Sequence, residues 1–314
     1  MTKNEYIETK KGLEVELDEK IENSYQVLKS HKETYKQKKA EYKQAKKIYK
    51  QEYKAKKQFL KNDFAGNHEK VTKIKEKYLS PDEILALRKK QQLPFYLRSE
   101  EIFNMVTHIV GGGLGIIGLI ISIICSLIYK PGDVVCLVSM IIFGITTITL
   151  YAISSIYHGL RINKAKAVFQ VLDHCTIYIL IAGTYLPVTL LGLNGHQPYN
   201  YAVLIVAIVL AITGVAINGT MMRKTVVKVI SMILYIAIGW GIIFFYPWLI
   251  TGPFGISGTW LLIGGGITYT VGSILYGIGS KRRYWHSIFH IFVIGGTLLQ
   301  YLCVLLYGVI NLWI

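Results

Sequence analysis

The stretch HSIFHIFVIGGTLLQYLCVLLYGVINLW, residues 286–313, decides the fold. It contains no Asp, Glu, Lys or Arg, and a helix of about 20 apolar residues is enough to span a bilayer. Two histidines, His286 and His290, lie four residues apart at its start, so their rings share one face of a helix. Because ionisable groups within a membrane are costly, they mark functional sites by default. The stretch predicts a membrane span with a polar site at one end.

Six more stretches upstream have the same character, which agrees with the mean hydropathy of +0.38 for the whole chain. They cover approximately residues 104–129, 134–160, 168–192, 201–220, 229–250 and 259–279. Backbone groups in hydrocarbon must be hydrogen-bonded within their own segment, so each stretch is expected to be helical. The predicted fold is an all-α bundle of seven transmembrane helices, a multi-pass protein of the cell membrane.

The distribution of charge predicts the orientation of this bundle. The second, fourth and sixth connections between spans carry three basic residues each, whereas the third and fifth carry none. Lys and Arg collect in cytoplasmic loops. We therefore expect the N-terminus in the cytoplasm and the C-terminus outside. The four cysteines contain no CxxC pair, which argues against a disulfide framework or a thiolate metal site.

The first 100 residues differ from the rest, because they hold 25 of the 35 basic and 16 of the 19 acidic side chains, a net charge of +9. Residues 1–79 are interpreted as a Lys/Tyr-rich cytoplasmic helical arm, and residues 80–98 as an amphipathic juxtamembrane segment. Apolar and tyrosine residues recur every seven positions from Ile21 to Tyr49, which suggests a weak coiled coil. The positive charge favours anionic inner-leaflet lipids. A solvated helix without a partner is the open alternative, and no nucleic-acid module is recognisable.

Polar residues of the remaining part, residues 99–314, gather at one end of the predicted bundle. Five of its six histidines fall at the cytoplasmic ends of spans, namely His108, His158, His174, His286 and His290. Ser154 precedes His158 by four residues, so the two share a helical face. Asp173 is the acidic residue left by elimination within the predicted spans.

Three histidines from neighbouring helices form a ligand set typical of catalytic zinc, which leaves a fourth position for water. The metal lowers the pKa of that water to about 7, and a nearby carboxylate can orient or deprotonate it. We therefore interpret His158, His286 and His290 as metal ligands and Asp173 as the carboxylate. Imidazole also suits Cu, Ni and Fe. A proton relay through the same residues, or hydrogen bonding between helices, remains open. His108 and His174 are each interpreted as packed or interfacial residues, and the role of Glu101 is left open.

The motifs S-x₃-H (Ser154, His158), DHxxIYxLIAGTYxP (with Asp173) and H-x₃-H (His286, His290) resemble the hemolysin III family. That family is related to the progestin and adiponectin receptors and to the alkaline ceramidases. The opening EEIFNMVTH, residues 100–108, also resembles bacterial members. The resemblance implies seven helices with the N-terminus inside and a zinc ion held by the three histidines. It also implies a zinc-bound water contacting Asp173, with Ser154 nearby. The long basic arm departs from the short N-termini of typical bacterial members.

We therefore expect a zinc-dependent hydrolase of a lipid-like amide or ester, in which Asp173 handles the proton and Ser154 hydrogen-bonds the water, a ligand or the substrate. One alternative is a membrane receptor or sensor in which zinc is structural and the arm signals. Another is a haemolytic, membrane-permeabilising protein, although a channel requires polar positions along whole helices. The sequence leaves the substrate, catalysis itself and the oligomeric state open.

Overall fold

The computed structural model describes residues 96–222, 224–279 and 283–312, together with residues 8, 12, 15, 19, 86, 88–91, 93 and 94. Residues 91–314 form a compact unit distinct from residues 1–90. Most of the arm, including its proposed coiled coil, and part of the juxtamembrane segment lie outside the described residues. Residues 8, 12, 15 and 19 are helical and exposed, and residues 86 and 88–91 are helical. The functions suggested for both segments stay predictions.

Seven helices in the described part of the chain are long and apolar enough to cross a membrane, and that part contains no strand. The predicted all-α fold with seven spans is thereby confirmed. The helices are α1 (Arg98–Tyr129), α2 (Val134–Gly159), α3 (Lys164–Pro187), α4 (Tyr199–Met221), α5 (Thr225–Trp240), α6 (Gly255–Gly279) and α7 (Trp285–Cys303). Helices α3 and α7 continue as π-helical turns, Val188–Gly192 and Val304–Val309, and α5 continues through a 3₁₀ turn into Tyr246–Thr251.

A polar side chain caps the N-terminus of α2, and another caps the N-terminus of α3. The Asp133 side chain accepts a hydrogen bond from the Cys136 backbone N–H at 2.9 Å, and Asn163 does the same for Lys166 at 2.9 Å. Such caps satisfy N–H groups that have no partner within the helix. The second cap lets α3 begin immediately after α2 ends, so Lys166 lies close to the end of α2.

The helices follow one another around a closed ring. Each packs against the next along the chain, and α7 returns to pack against α1. Helix α3 also contacts α5, and its span is the most buried of the seven. The packing of α1 against α2 places the start of α1 beside the end of α2, and the closure of the ring brings the start of α7 to the same place.

Candidate metal centre

Three histidines meet where these helix ends come together. His158 lies in the last turn of α2, and His286 and His290 occupy the first turns of α7. Their exposed fractions are 3%, 8% and 1%. One nitrogen of each ring lies within 4.8 Å of one from each of the others, close enough to hold a metal ion. The three residues predicted as ligands are thus brought together in a buried cluster.

The spacing of the ring nitrogens fits a metal ion. The Nε2 atoms of His286 and His290 are 3.1 Å apart, and the Nε2 atoms of His158 and His286 are 3.4 Å apart. Two nitrogens bound to tetrahedral zinc at about 2.0–2.1 Å are separated by roughly 3.3–3.4 Å. The geometry does not fix which metal would bind, because imidazole also suits other divalent ions.

Glu101 holds His158 from the side opposite this cluster, since His158 Nδ1 lies 2.7 Å from Glu101 Oε2. The Asn104 amide nitrogen, itself a donor, lies 3.5 Å from the same Nδ1. The Ser287 hydroxyl donates to Asn104 Oδ1 at 2.5 Å, so this network also connects α1 to α7. Histidines that bind metals usually donate their other ring N–H to such a carboxylate, which fixes the tautomer. With Nδ1–H donated to Glu101, His158 Nε2 is the nitrogen that presents a lone pair to the cluster.

Aromatic rings enclose the three histidines. The Tyr96 ring stacks on His286 with centroids 4.8 Å apart and planes inclined by 22°. Burial raises the pKa of the Tyr96 phenol well above its ordinary value. His108 stacks on His290 at 3.7 Å, inclined by 18°, and meets the edge of Tyr151 at 5.1 Å. Neither nitrogen of His108 has a hydrogen-bond partner among the described residues, and its interpretation as a packed residue stays a prediction.

The other predicted site residues lie nearby but outside this cluster. Ser154 is buried one turn before His158 on α2. Asp173, on α3, does not belong to the set of closely spaced ligands found among the described residues. Its Oδ2 lies 3.9 Å from Nδ1 of His174. His174 itself contacts the Gln170 carbonyl at 2.9 Å and the Tyr276 hydroxyl at 3.1 Å, and its interpretation as a packed residue stays a prediction. The roles of Asp173 and Ser154 stay predictions.

A cavity of about 150 Å³ connects Asp173 with His286, since both line it. Most of its other lining residues are apolar and come from α3, α5, α6 and α7. Along α7 the lining extends from His286 to Gln300, a distance of roughly 21 Å at 1.5 Å per residue. The cavity is therefore elongated, with ionisable groups in the wall at the end where the histidines lie.

Glu101, whose role the sequence left open, contacts the candidate ligand His158. The elimination that led to Asp173 assumed a first span starting at about residue 104, and this premise was wrong because α1 begins at Arg98. Glu101 therefore lies inside the helix and contacts a candidate ligand directly. The spacing of Glu101, Asn104 and His108, three and then four residues, places all three on one helical face. That signal was available in the sequence.

Comparison with known proteins gives a consistent result. A family model described as haemolysin-III related matches residues 96–301. The chain is 37% identical to Hemolysin-3 of Bacillus cereus over 208 residues, which cover 66% of this chain and 91% of that protein. It is 36% identical to the Hemolysin-3 homolog of Bacillus subtilis (strain 168) over 210 residues, 67% of this chain and 95% of that protein. The matched region includes every residue of the candidate metal centre.

Proposed function

Because the chain belongs to the haemolysin-III-related family, we propose that this multi-pass membrane protein is a zinc-dependent hydrolase of a lipid-like amide or ester. The observation that carries the proposal is the convergence of three buried imidazoles beside an elongated apolar cavity. His158, His286 and His290 are the proposed ligands. With the orientation predicted from the loop charges, the centre faces the cytoplasm.

The donor set suits catalysis because three histidines leave a fourth position open on a tetrahedral ion. When bound, zinc supplies Lewis acidity toward a carbonyl oxygen and makes water nucleophilic at neutral pH. Asp173, which shares the cavity wall with His286, takes up the proton of the attacking water on its carboxylate and passes it to the leaving amine or alcohol. Ser154, buried one turn from His158, donates a hydrogen bond that orients the water or the substrate.

The shape of the cavity supports a substrate with a hydrocarbon chain. The mostly apolar lining favours a hydrocarbon portion of a substrate, whereas a small polar metabolite gains nothing from it. The ionisable groups Asp173 and His286 lie toward one end of the cavity. An amide or ester bond joining an acyl chain to a polar head would therefore reach the histidines.

The test of the metal centre is the metal content of protein purified in detergent, measured by mass spectrometry for wild type and for His286→Ala/His290→Ala. We expect near-stoichiometric zinc in the wild type and its loss in the double variant. His196→Ala is the matched control, because His196 follows α3 at its far end and stacks on Trp248 at 4.6 Å. An absence of metal from all three after zinc supplementation contradicts the proposal.

The test of catalysis is hydrolysis of a panel of lipid amides and esters by wild type and Asp173→Asn. A general acid–base contributes about 10²–10⁴-fold to the rate, so we expect a loss of that size with the metal retained. Asp133→Asn provides a control, because this carboxylate caps α2 at the end away from His158. Turnover that is unchanged in Asp173→Asn refutes the assigned role.

The names of the two relatives raise haemolysis as a second candidate function. A conducting pore requires polar positions along whole helices. The buried histidines and their polar contacts are instead concentrated where α1 and α7 start and α2 ends. Dye leakage from liposomes that persists at one protein per vesicle, and is unaffected by His286→Ala/His290→Ala, would favour permeabilisation over hydrolysis.

A further inference from the structure

A lysine is buried beside the candidate metal centre. Lys166 lies in the first turn of α3 and is only 1% exposed. Its Nζ donates hydrogen bonds to the backbone carbonyls of Tyr157 at 2.8 Å, Leu160 at 3.1 Å and His158 at 3.4 Å. Carbonyls at the end of a helix have no partner within it, and a cation there is favoured by the helix dipole. Lys166 therefore caps the end of α2 that carries His158.

The same ammonium group also holds the carboxylate that contacts the side chain of His158. Lys166 Nζ lies 3.2 Å from Glu101 Oε1, while the other oxygen, Oε2, lies 2.7 Å from His158 Nδ1. A buried carboxylate without a paired cation is strongly disfavoured in its charged form. The ionised form is the stronger hydrogen-bond acceptor. Pairing with Lys166 therefore holds the Glu101 carboxylate in place to accept the Nδ1–H of His158.

We propose that Lys166 is a positioning residue for the metal centre. It fixes the side chain of His158 through Glu101, whereas its bonds to the backbone carbonyls stabilise the end of α2. Because Nδ1–H is donated to Glu101, Nε2 keeps its lone pair directed at His286 and His290. The inference rests on the proposed metal centre. Lys166 contacts the His158 carbonyl and acts through Glu101, and it does not line the cavity.

The alternative is that Lys166 only stabilises the end of α2, in which case its effect on metal affinity does not depend on Glu101. A double-mutant cycle distinguishes the two, because residues that act through one network give non-additive effects. The full chain in detergent is stripped of metal and titrated with Zn²⁺, as wild type, Lys166→Met, Glu101→Gln and the double variant. Lys164→Met is the matched control, since Lys164 lies two residues away and is exposed.

Loss of an outer-shell partner typically lowers metal affinity by about 10–100-fold. We expect that loss in Lys166→Met and in Glu101→Gln, with no more than about a further twofold loss in the double variant, because the two act in series. Lys164→Met should bind as wild type does. Visible spectra with Co²⁺ give a second readout, and we expect the same altered ligand field in Lys166→Met and Glu101→Gln but not in Lys164→Met.

Failure of the proposed metal centre and failure of the role proposed for Lys166 give different experimental results. Wild type that binds no metal overturns the metal centre and this inference with it. Wild-type binding with Lys166→Met unchanged, or with additive losses in the double variant, overturns the role of Lys166 alone. If Lys166→Met is recovered unfolded, comparison of Glu101→Gln with the double variant still decides, because the double variant leaves no isolated buried charge. Equal affinities then support the inference, and a further large fall overturns it.

Discussion

Replacing Gly214 with alanine tests the packing of α4 against α3, the helix that carries Asp173. A Cβ atom at Gly214 would lie 2.2 Å from two ring carbons of Tyr178, whereas carbon atoms in contact are about 3.5–4.0 Å apart. The ring would have to move by roughly 1.3 Å. Tyr178 is fully buried, and its ring centroid lies 4.4 Å from that of Tyr235. The Tyr235 hydroxyl in turn donates to the His174 carbonyl at 2.9 Å, so little room exists for this movement.

Gly219→Ala, on the same helix, is the matched control, because nothing lies within 4 Å of a Cβ atom there. Both substitutions gain similar helix propensity, about 1 kcal/mol, so their difference isolates the overpacking at Gly214. Overpacking typically costs about 1–3 kcal/mol. We expect Gly214→Ala to be less stable than Gly219→Ala by that amount in equilibrium unfolding in mixed detergent micelles. Equal unfolding free energies for the two variants would refute the argument.

Two further predictions concern the surroundings of the histidines. His108→Phe should retain the zinc affinity of the wild type, whereas His108→Ala should lower it by about 2- to 10-fold, because the ring contributes through stacking on His290. Titration with Zn²⁺ measures both affinities. An equal loss of affinity in the two variants would instead assign a role to the His108 nitrogens. Ser287→Ala should lower the free energy of unfolding by about 1–3 kcal/mol, because Asn104 Oδ1 loses a buried hydrogen-bond donor. Equilibrium unfolding in mixed micelles measures this loss. Ser287→Thr keeps the hydroxyl and should recover much of the lost stability.

The number of spans was predictable because hydropathy and length alone determine it, yet the starts of two helices were placed too late. Helix α1 begins at Arg98 rather than near residue 104, and α3 at Lys164 rather than near 168. In both cases the missing turn contains a buried charge, Glu101 or Lys166. A hydropathy pattern registers such charges as polar, but it does not register that they are paired with each other. The helices could therefore be counted more reliably than they could be bounded.

The histidine cluster was predictable for a similar reason, since the four-residue spacing of His286 and His290 defines a face by itself. The roles of the two carboxylates were harder to predict, because the sequence does not show which side chain each one contacts, and the role of Asp173 stays a prediction. The packing of α1 against α2 brings Glu101 to His158. Asp173 instead lines the cavity next to His286, so the two carboxylates occupy different positions. Glu101 is suited to orient a ligand, and Asp173 is suited to meet a substrate.

The burial of Lys166 also bears on the predicted orientation, because this residue was one of the three basic charges counted in the second connection. Arg161 and Lys164 are exposed, but Lys166 is not. The charge of Lys166 is partly neutralised by its ion pair with Glu101 and by its hydrogen bonds to the carbonyls at the end of α2. Lys166 therefore counts less than an exposed cation in the charge of this connection. Two exposed basic residues remain in this connection, against none in the third. The alternation that predicts a cytoplasmic N-terminus therefore does not depend on Lys166, and Lys166→Met is expected to disturb the metal centre without inverting the chain.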